Sequence, residues 1–154
     1  MGFEVLEGVK ALVVDDEETV REVLSRSLSA AGCQVTVKTN GKEALEFLKQ
    51  NQVSILITDI VMPEMDGVQL LKEAKELYPY LPVYLITGHS NKITPKGALE
   101  LGAEHLLTKP FKNVEIIQRI RASMERSKHI AEKIEQERSR TETNNHGDEL
   151  FEGK

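Results

Sequence analysis

Cysteine is almost absent from this sequence of 154 residues, in which Cys33 is the only one. A single thiol excludes an internal disulfide and a metal cluster built from several cysteines. Because an isolated cysteine behaves as a small apolar side chain, we expect Cys33 to lie in the core.

Long apolar runs are absent as well. No stretch approaches the roughly 18 consecutive apolar residues that a membrane-spanning helix needs. The opening segment MGFEVLEGVK contains no apolar region typical of a secretory signal. We therefore expect no membrane association and a cytoplasmic location. With 40% hydrophobic residues, the chain suits one soluble domain with a substantial core.

The sequence also lacks an excess of basic residues. The 20 Lys and Arg residues are outnumbered by 25 Asp and Glu residues, which gives a formal net charge of -5. Contacts with nucleic-acid phosphates require a basic surface, and no DNA-binding motif is evident. The composition therefore predicts no direct binding to nucleic acid.

Short apolar runs alternate along the chain with segments whose apolar residues recur at helical spacing. Five runs are typical of buried strands, namely KALVVD, CQVTVKT, VSILITDI, PVYLITG and AEHLLTK. Strands that alternate with helices imply parallel pairing with right-handed crossovers. The sequence therefore predicts an α/β fold with a doubly wound five-stranded parallel sheet, flavodoxin-like, with helices on both faces.

Polar residues mark the ends of four of these predicted strands. Asp15 and Asp16 follow the first strand, Asp59 the third, Thr87 the fourth and Lys109 the fifth. Each alone also fits an ordinary solvated strand end or surface loop. In open parallel sheets, however, ligands bind beyond the carboxyl ends of the strands. The coincidence at four strand ends therefore predicts one shared site.

Three carboxylates brought together repel and raise one another's pKa, so a divalent cation is their natural partner. Oxygen ligands favour Mg²⁺. In phosphoryl transfer an aspartate can act as nucleophile, while a metal ion and a lysine neutralise the phosphoryl oxygens. Asp59 is the nucleophile candidate because it ends the central strand, with Thr87 and Lys109 to either side.

Four segments carry a specific resemblance to a known family: VVDDEE, ITDIVMPEMDG, LITGH and GAEHLLTKPF. In order and spacing they resemble the motifs of response-regulator receiver domains of two-component signalling, which include chemotaxis receivers. The resemblance implies that a sensor histidine kinase or phosphotransfer protein donates a phosphoryl group to Asp59. It also implies that a downstream effector protein receives the signal, and that the chain is no enzyme beyond self-phosphorylation and autodephosphorylation.

The resemblance further implies a set of metal ligands. Mg²⁺ would be bound by Asp16, Asp59 and the backbone carbonyl of Val61, with Asp15 acting through a water molecule. The two glutamates at 17–18 come next in the chain. We expect them mainly to cap the following helix, whose N-terminal dipole favours negative charge.

Phosphoryl binding and signalling are implied at the remaining positions. Thr87 and Lys109 would bind phosphoryl oxygens, and the peptide bond before Pro110 would be cis. Receivers generally carry Tyr or Phe three residues before the lysine, and that ring moves with the threonine. Here the switch position is Leu106, which has no ring or hydroxyl group. His89 could reach the chemistry or could simply be solvated.

Two other protein classes share part of this pattern. A magnesium-dependent phosphohydrolase of the haloacid dehalogenase type also uses an aspartyl nucleophile. Its nucleophile, however, ends the first strand and has a second aspartate two residues on, where this chain has Val61. A flavin-binding electron carrier has the same topology but needs a hydroxyl-rich loop after the first strand, where this chain has DDEE. The phosphohydrolase is kept as the alternative.

The chain is predicted to divide into three parts. The receiver resemblance covers residues 8–125, a helical extension covers residues 126–140, and residues 141–154 lack periodicity and are predicted to be disordered. The stretch after residue 125 is too short for a helix-turn-helix, cyclase or ATPase domain. We therefore expect output through another protein, or a chain that is part of a longer regulator.

The last helix is predicted to run from about Asn113 to about Arg138. Apolar and small residues recur there near the 3,4 spacing of a heptad seam. The seam consists of Ile117, Ile120, Met124, Ser127, Ala131 and Ile134. Ile117 and Ile120 are expected to face the sheet. The later seam residues fit either a weak homodimer through the C-terminal helix, formed on phosphorylation, or a frayed linker exposed to solvent.

Overall fold

The structure is a computed structural model that describes residues 5–88 and 93–152, with side chains up to residue 141. Strands and helices alternate along the chain. The strands are β1 (Lys10–Val14), β2 (Gln34–Lys38), β3 (Ile55–Asp59), β4 (Val83–Thr87) and β5 (His105–Thr108). The helices are α1 (Glu18–Ala30), α2 (Gly41–Gln50), α3 (Gly67–Leu77), α4 (Pro95–Glu100) and α5 (Asn113–Glu152).

All five strands form one parallel sheet in the order β2-β1-β3-β4-β5. Every residue of β3 and β4 is buried, whereas no residue of the edge strand β2 is. The strand order reverses between β1 and β3, so their carboxyl ends flank the crevice where ligands bind in such sheets. The predicted doubly wound α/β fold is confirmed.

Three helices that begin at the carboxyl edge of the sheet have side-chain caps. Asn40, Asp66 and Thr94 precede α2, α3 and α4, and each accepts a hydrogen bond from the backbone N–H three residues on, at 2.8, 2.8 and 2.9 Å. Such caps satisfy N–H groups that have no partner inside the helix. They fix the loops that follow β2, β3 and β4.

The largest described hydrophobic cluster lies between the sheet and its helices. Leu12, Leu56 and Leu85 from three adjacent strands are fully buried in it, together with Leu70 of α3. Cys33 is also buried, as predicted, and burial raises the pKa of its thiol to about 11. The core thus supports the strands whose ends carry the polar residues.

The start of α5 belongs to the first of two compact units, which ends at Arg119. Within it, Ile116 is fully buried while Ile117 is only half-buried. Of the two residues predicted to face the sheet, Ile120 is fully buried, whereas Ile117 is less buried than its neighbour Ile116. Two adjacent isoleucines look alike in a sequence, and only packing decides which one turns inward. The Tyr84 hydroxyl of β4 donates to the Arg119 carbonyl at 3.2 Å.

The second unit consists of α5 from Ile120 onward. This helix continues to Glu152, beyond the predicted end near Arg138 and through most of the segment predicted to be disordered. The segment contains no proline, and each added residue of an existing helix gains a backbone hydrogen bond. Every side chain at 125–141 is exposed. None of the described helices has the length and apolar character needed to cross a bilayer.

Replacing Ile116 by alanine should lower the free energy of unfolding by about 2–5 kcal/mol, because it leaves a cavity in a closed core. Ile117→Ala is the matched control, and it should cost less than half as much because that side chain is half-buried. Urea unfolding of both variants measures the difference. A larger loss for Ile117→Ala would contradict the observed register.

The turn after β3 packs tightly on the first residue of α3. A Cβ atom placed on Gly67 would overlap the backbone oxygen of Asp59 and lie 2.9 Å from the Ile60 Cα. The Gly67 N–H also donates to the Ile60 carbonyl at 2.8 Å. Only glycine therefore fits where α3 meets the end of β3.

Gly67→Ala should destabilise the protein by about 1–3 kcal/mol or more, because backbone atoms of β3 must shift to admit the methyl group. Gly88→Ala is the control, since the nearest described atom to its added Cβ would be the Lys109 Cδ at 3.7 Å. Urea unfolding should show a lower midpoint for Gly67→Ala alone. Equal midpoints would show that the turn adapts freely.

Candidate functional site

Four acidic side chains converge at the carboxyl edge of the sheet. Asp15 follows β1 and is fully buried, and Asp59 ends the adjacent β3 and is 5% exposed. Asp16 and Glu17 are exposed beside them. One carboxylate oxygen from each of the four lies within 4.8 Å of the others. The predicted convergence of Asp15, Asp16 and Asp59 is thus present, with Glu17 as an additional member.

The ammonium group of Lys109 lies among these carboxylates. Its Nζ is 3.2 Å from Asp15 Oδ2, 3.4 Å from Asp59 Oδ2 and 3.1 Å from Glu17 Oε1. Lys109 follows β5, so its side chain must reach back across the ends of two strands. The peptide bond between Lys109 and Pro110 is cis, as the resemblance implies.

Burial and charge shift the pKa values of this group. Burial is the largest influence on Asp15 and Asp59 and raises the pKa of both carboxyls above their usual range. For Asp15 the charge of Asp59 adds to the increase, while the Lys109 ammonium opposes it. Burial lowers the pKa of Lys109, but the hydrogen bond to Glu17 and the two aspartates outweigh it, so the net pKa is raised.

Backbone groups in the turns after β1 and β3 act on both aspartates. The Glu17 N–H donates to Asp15 Oδ1 at 2.8 Å, and the Arg21 guanidinium donates to the Asp15 carbonyl at 2.7 Å. The backbone N–H groups of Ile60 and Val61 lower the pKa of the Asp59 carboxyl, against the larger effect of burial. The turn after β1 therefore holds the Asp15 side chain in place, and the turn after β3 favours the charged form of Asp59.

Thr87 ends β4, next to β3 in the sheet, and is 5% exposed. Its carbonyl accepts a hydrogen bond from the Lys109 N–H at 2.8 Å, which ties the ends of β4 and β5 together. At the next residue, Gly88, an added Cβ would meet, among the residues that the structure describes, only the Lys109 Cδ, at 3.7 Å. The missing side chain leaves space beside the lysine.

Two other predicted site residues have apolar side chains. The Val61 side chain is 73% exposed, so only its backbone can take part in a metal site. Leu106 is 7% exposed and belongs to the same hydrophobic cluster as Ala98 of α4. His89 lies outside the described residues. Leu106 is thus an apolar packing residue on β5, and β4 lies between it and the strands that carry the acidic group.

Glu17 is the residue whose role the sequence interpretation missed. It occupies the N-cap position of α1 but makes no side-chain capping hydrogen bond. Its carboxylate contacts Lys109 instead. In the sequence, only the run of four acidic residues indicated a contact of this kind. The run does not show which of the four side chains turns toward Lys109.

The donor set fits a hard divalent cation. It consists of carboxylate oxygens, which Mg²⁺ prefers over nitrogen and sulfur ligands. Four carboxylates exceed the single Lys109 ammonium by three formal charges. Burial raises the pKa values of Asp15 and Asp59 even with the Lys109 ammonium beside them. A divalent ion would supply two of the missing charges.

Comparison with known proteins identifies a family and several relatives that this chain resembles. A family model described as the response regulator receiver domain matches residues 11–121. The DNA-binding transcriptional regulator NtrC of Escherichia coli (strain K12) is 44% identical over 99 residues, which cover 64% of this chain and 21% of NtrC. Response regulator MprA of Mycobacterium ulcerans (strain Agy99) is 36% identical over 120 residues, which cover 78% of this chain and 52% of MprA. The chain therefore spans from about a fifth to about half of these relatives.

Solved structures agree with the sequence matches. A response regulator receiver domain protein from Clostridium thermocellum superposes with a TM-score of 0.74 at 29% identity, covering 79% of this chain and 98% of that one. NtrX from Brucella abortus in complex with ATP gives a TM-score of 0.75 at 32% identity, covering 80% of this chain and 28% of NtrX. With the family match over residues 11–121, these likenesses show that the chain belongs to the response-regulator receiver family and contains a receiver domain of two-component signalling.

Proposed function

We propose that Asp59 is the phosphoacceptor of this receiver. It would receive the phosphoryl group from a phosphohistidine on a sensor histidine kinase or phosphotransfer protein. The observation that carries the proposal is the 3.4 Å approach of the Lys109 ammonium to Asp59 Oδ2 at the carboxyl edge of the sheet. An Asp59 carboxylate oxygen forms the new O–P bond while the P–N bond to the donor histidine breaks. The histidine nitrogen keeps that electron pair and the phosphoryl group becomes an acyl phosphate.

Mg²⁺ is proposed to bind beside Asp59. Its ligands would be the Asp16 and Asp59 carboxylates and the Val61 carbonyl, with Asp15 acting through water. When bound, the ion neutralises charge on the phosphoryl oxygens. The position of Asp15 supports an indirect role, because its Oδ1 and Oδ2 already accept from the Glu17 N–H and from Lys109. Asp16 is exposed and can turn toward an entering ion.

Thr87 and Lys109 are proposed to bind the phosphoryl oxygens. Lys109 contacts Asp59 directly, so a new phosphoryl group would find a positive charge beside it. The Thr87 hydroxyl would donate a hydrogen bond to a phosphoryl oxygen once the phosphoryl group is present. Because Leu106 and Ala98 of α4 lie in one apolar cluster, we propose that Thr87 movement is transmitted as repacking of Leu106 and not as rotation of an aromatic ring.

The partners follow from this chemistry. The donor is a histidine kinase or phosphotransfer protein, and the output passes to a downstream effector. NtrC is named a DNA-binding transcriptional regulator, but this chain covers 21% of its length. We therefore limit the predicted absence of nucleic-acid contact to the receiver domain, because the negative net charge of the chain disfavours contacts with nucleic-acid phosphates.

We propose a receiver over residues 8–125, followed by a helical extension over residues 126–140, in a cytoplasmic protein. The receiver itself would catalyse only its own phosphorylation and dephosphorylation. The phosphohydrolase alternative is not favoured, because the receiver family model spans the whole motif set and Val61 stands where that class has its second aspartate.

Incubation with acetyl phosphate and Mg²⁺ should add one phosphoryl mass to the chain, and Asp59→Asn should abolish the addition because an amide is a poor nucleophile. Asp66→Asn is the matched control. Asp66 is an exposed N-cap residue, and asparagine caps helices as well as aspartate does. Intact-protein mass spectrometry measures the adduct.

Addition of a phosphoryl group by Asp66→Asn but not by Asp59→Asn would support the assignment. An adduct of equal yield in Asp59→Asn would place the acceptor elsewhere. An adduct on the unmodified chain in EDTA would separate phosphorylation from the proposed metal.

We propose that the predicted weak homodimer through α5 forms on phosphorylation. Ile134 is 50% exposed and is the last apolar member of the seam, while Ser127 and Ala131 bury little surface. Light scattering should show a higher mass after phosphorylation, and Ile134→Lys should remove the increase. Gln136→Lys adds the same charge on the opposite helix face and should leave the increase intact. A mass that phosphorylation does not change would refute this contact.

A further inference from the structure

The β2 strand forms an open edge of the sheet. It pairs with β1 on one side, and no described strand lies on its other side. None of its five residues is buried, and Val37 is 41% exposed. The opposite edge strand, β5, differs because Leu106 and Leu107 are covered. An uncovered strand edge presents unpaired backbone groups that another strand can bind.

The unpaired groups can be identified from the ladder with β1. The Gln34 N–H donates to the Val9 carbonyl, and the Lys38 carbonyl accepts from the Asp15 N–H. Alternate residues of a strand direct their N–H and C=O groups to the same side. Gln34, Thr36 and Lys38 therefore bond to β1, and the N–H and C=O groups of Val35 and Val37 point to the open edge.

Cavities lie along both faces of this edge. A cavity of about 400 Å³ on one face is lined by Val37 and the exposed side of α1. On the other face, cavities of about 400 and 280 Å³ are lined by Thr36, by Lys38 and by the last turns of α2. No described element fills the space beside β2, so a strand could enter without displacing one.

We propose that the occupant is β2 of a second copy of this chain, paired antiparallel about a two-fold axis through Thr36. The strand sequence QVTVK is self-complementary in this register. Val35 lies opposite Val37 of the partner copy, Thr36 opposite its own counterpart, and Lys38 opposite Gln34. No like charges meet, and β-branched pairs of this kind stabilise antiparallel strands.

The hydrogen-bonding pattern agrees with the same register. Val35 and Val37 carry the free backbone groups and become the hydrogen-bonded pairs, each exchanging both N–H···O bonds. Thr36 uses its own groups toward β1 and becomes the non-hydrogen-bonded pair at the axis. A register shifted by one residue would oppose groups that are already bonded to β1.

Charges on α1 are also compatible with the two-fold axis. Glu22 and Arg26 both line the cavity beside Val37, one helical turn apart. Because the rotation sets the two α1 helices antiparallel, Glu22 of one copy approaches Arg26 of the other. Because the strands of the two copies run in opposite directions, the two acidic sites would lie at opposite strand ends of the resulting ten-stranded sheet. Both sites would therefore stay open to a phosphoryl donor.

The first test is disulfide cross-linking in the full chain with Cys33→Ser and Ile134→Lys as background changes. Thr36→Cys should form a covalent dimer on mild oxidation, because Cα atoms of a non-hydrogen-bonded pair lie about 4.5 Å apart, within disulfide range. Gln34→Cys is the control on the same edge, two residues from the axis. Its two thiols would be too far apart in the proposed dimer.

Selective cross-linking of Thr36→Cys supports the proposal. Equal cross-linking of the two variants would indicate random collision and overturn it, as would no cross-linking of either. If β2 bound a different protein and not its own copy, purified Thr36→Cys would also fail to cross-link.

The second test introduces a charge at Thr36, on the two-fold axis, in the Ile134→Lys background. Thr36→Glu and Thr36→Lys should each raise the dimer dissociation constant about tenfold or more, because like charges then lie directly opposite. An equimolar mixture of the two variants should recover dimers by sedimentation velocity. Weakening in both single variants without recovery on mixing would overturn the pairing.

Discussion

The contact of Lys109 with Asp15, Glu17 and Asp59 is the interaction on which the functional edge depends. Two of these carboxylates are almost completely buried, and burial raises the pKa of both. An isolated charge is costly in such a place, and one ammonium group partly offsets three carboxylates. Lys109 therefore holds the three carboxylates together, but their negative charge still exceeds its positive charge. This excess favours the binding of a cation, which in turn allows a phosphoryl group to bind.

The fold supplies this arrangement through parallel pairing. Since β1, β3, β4 and β5 all end at one edge, residues separated by up to 94 positions meet there. The cis bond before Pro110 lies next to the lysine, and Gly67 allows α3 to begin against the Asp59 backbone. The open β2 edge lies on the far side of β1 from β3, so self-pairing there leaves the acidic edge free.

Sequence reasoning located most of this site because its signals were local. Asp15, Asp59, Thr87 and Lys109 each follow a strongly apolar run, and the sheet rule then placed them together. Contacts that depend on side-chain direction were not predictable: the approach of Glu17 to Lys109, and the choice of Ile116 over Ile117, require the packed structure. The end of α5 was placed too early, because periodicity indicates burial and not whether an exposed helix continues.

The dependence of stability on Mg²⁺ tests the charge account most directly. Urea unfolding of the unphosphorylated chain would be compared in EDTA and in Mg²⁺, at ionic strength matched with KCl. A ligand that binds only the folded state at 100 times its dissociation constant stabilises by about 2.7 kcal/mol. If the carboxylates bind Mg²⁺, the free energy of unfolding should rise by an amount of this order at saturating Mg²⁺, and the increase should be strongly reduced in Asp59→Asn. An unchanged midpoint, or an equal shift in Asp59→Asn, would contradict it.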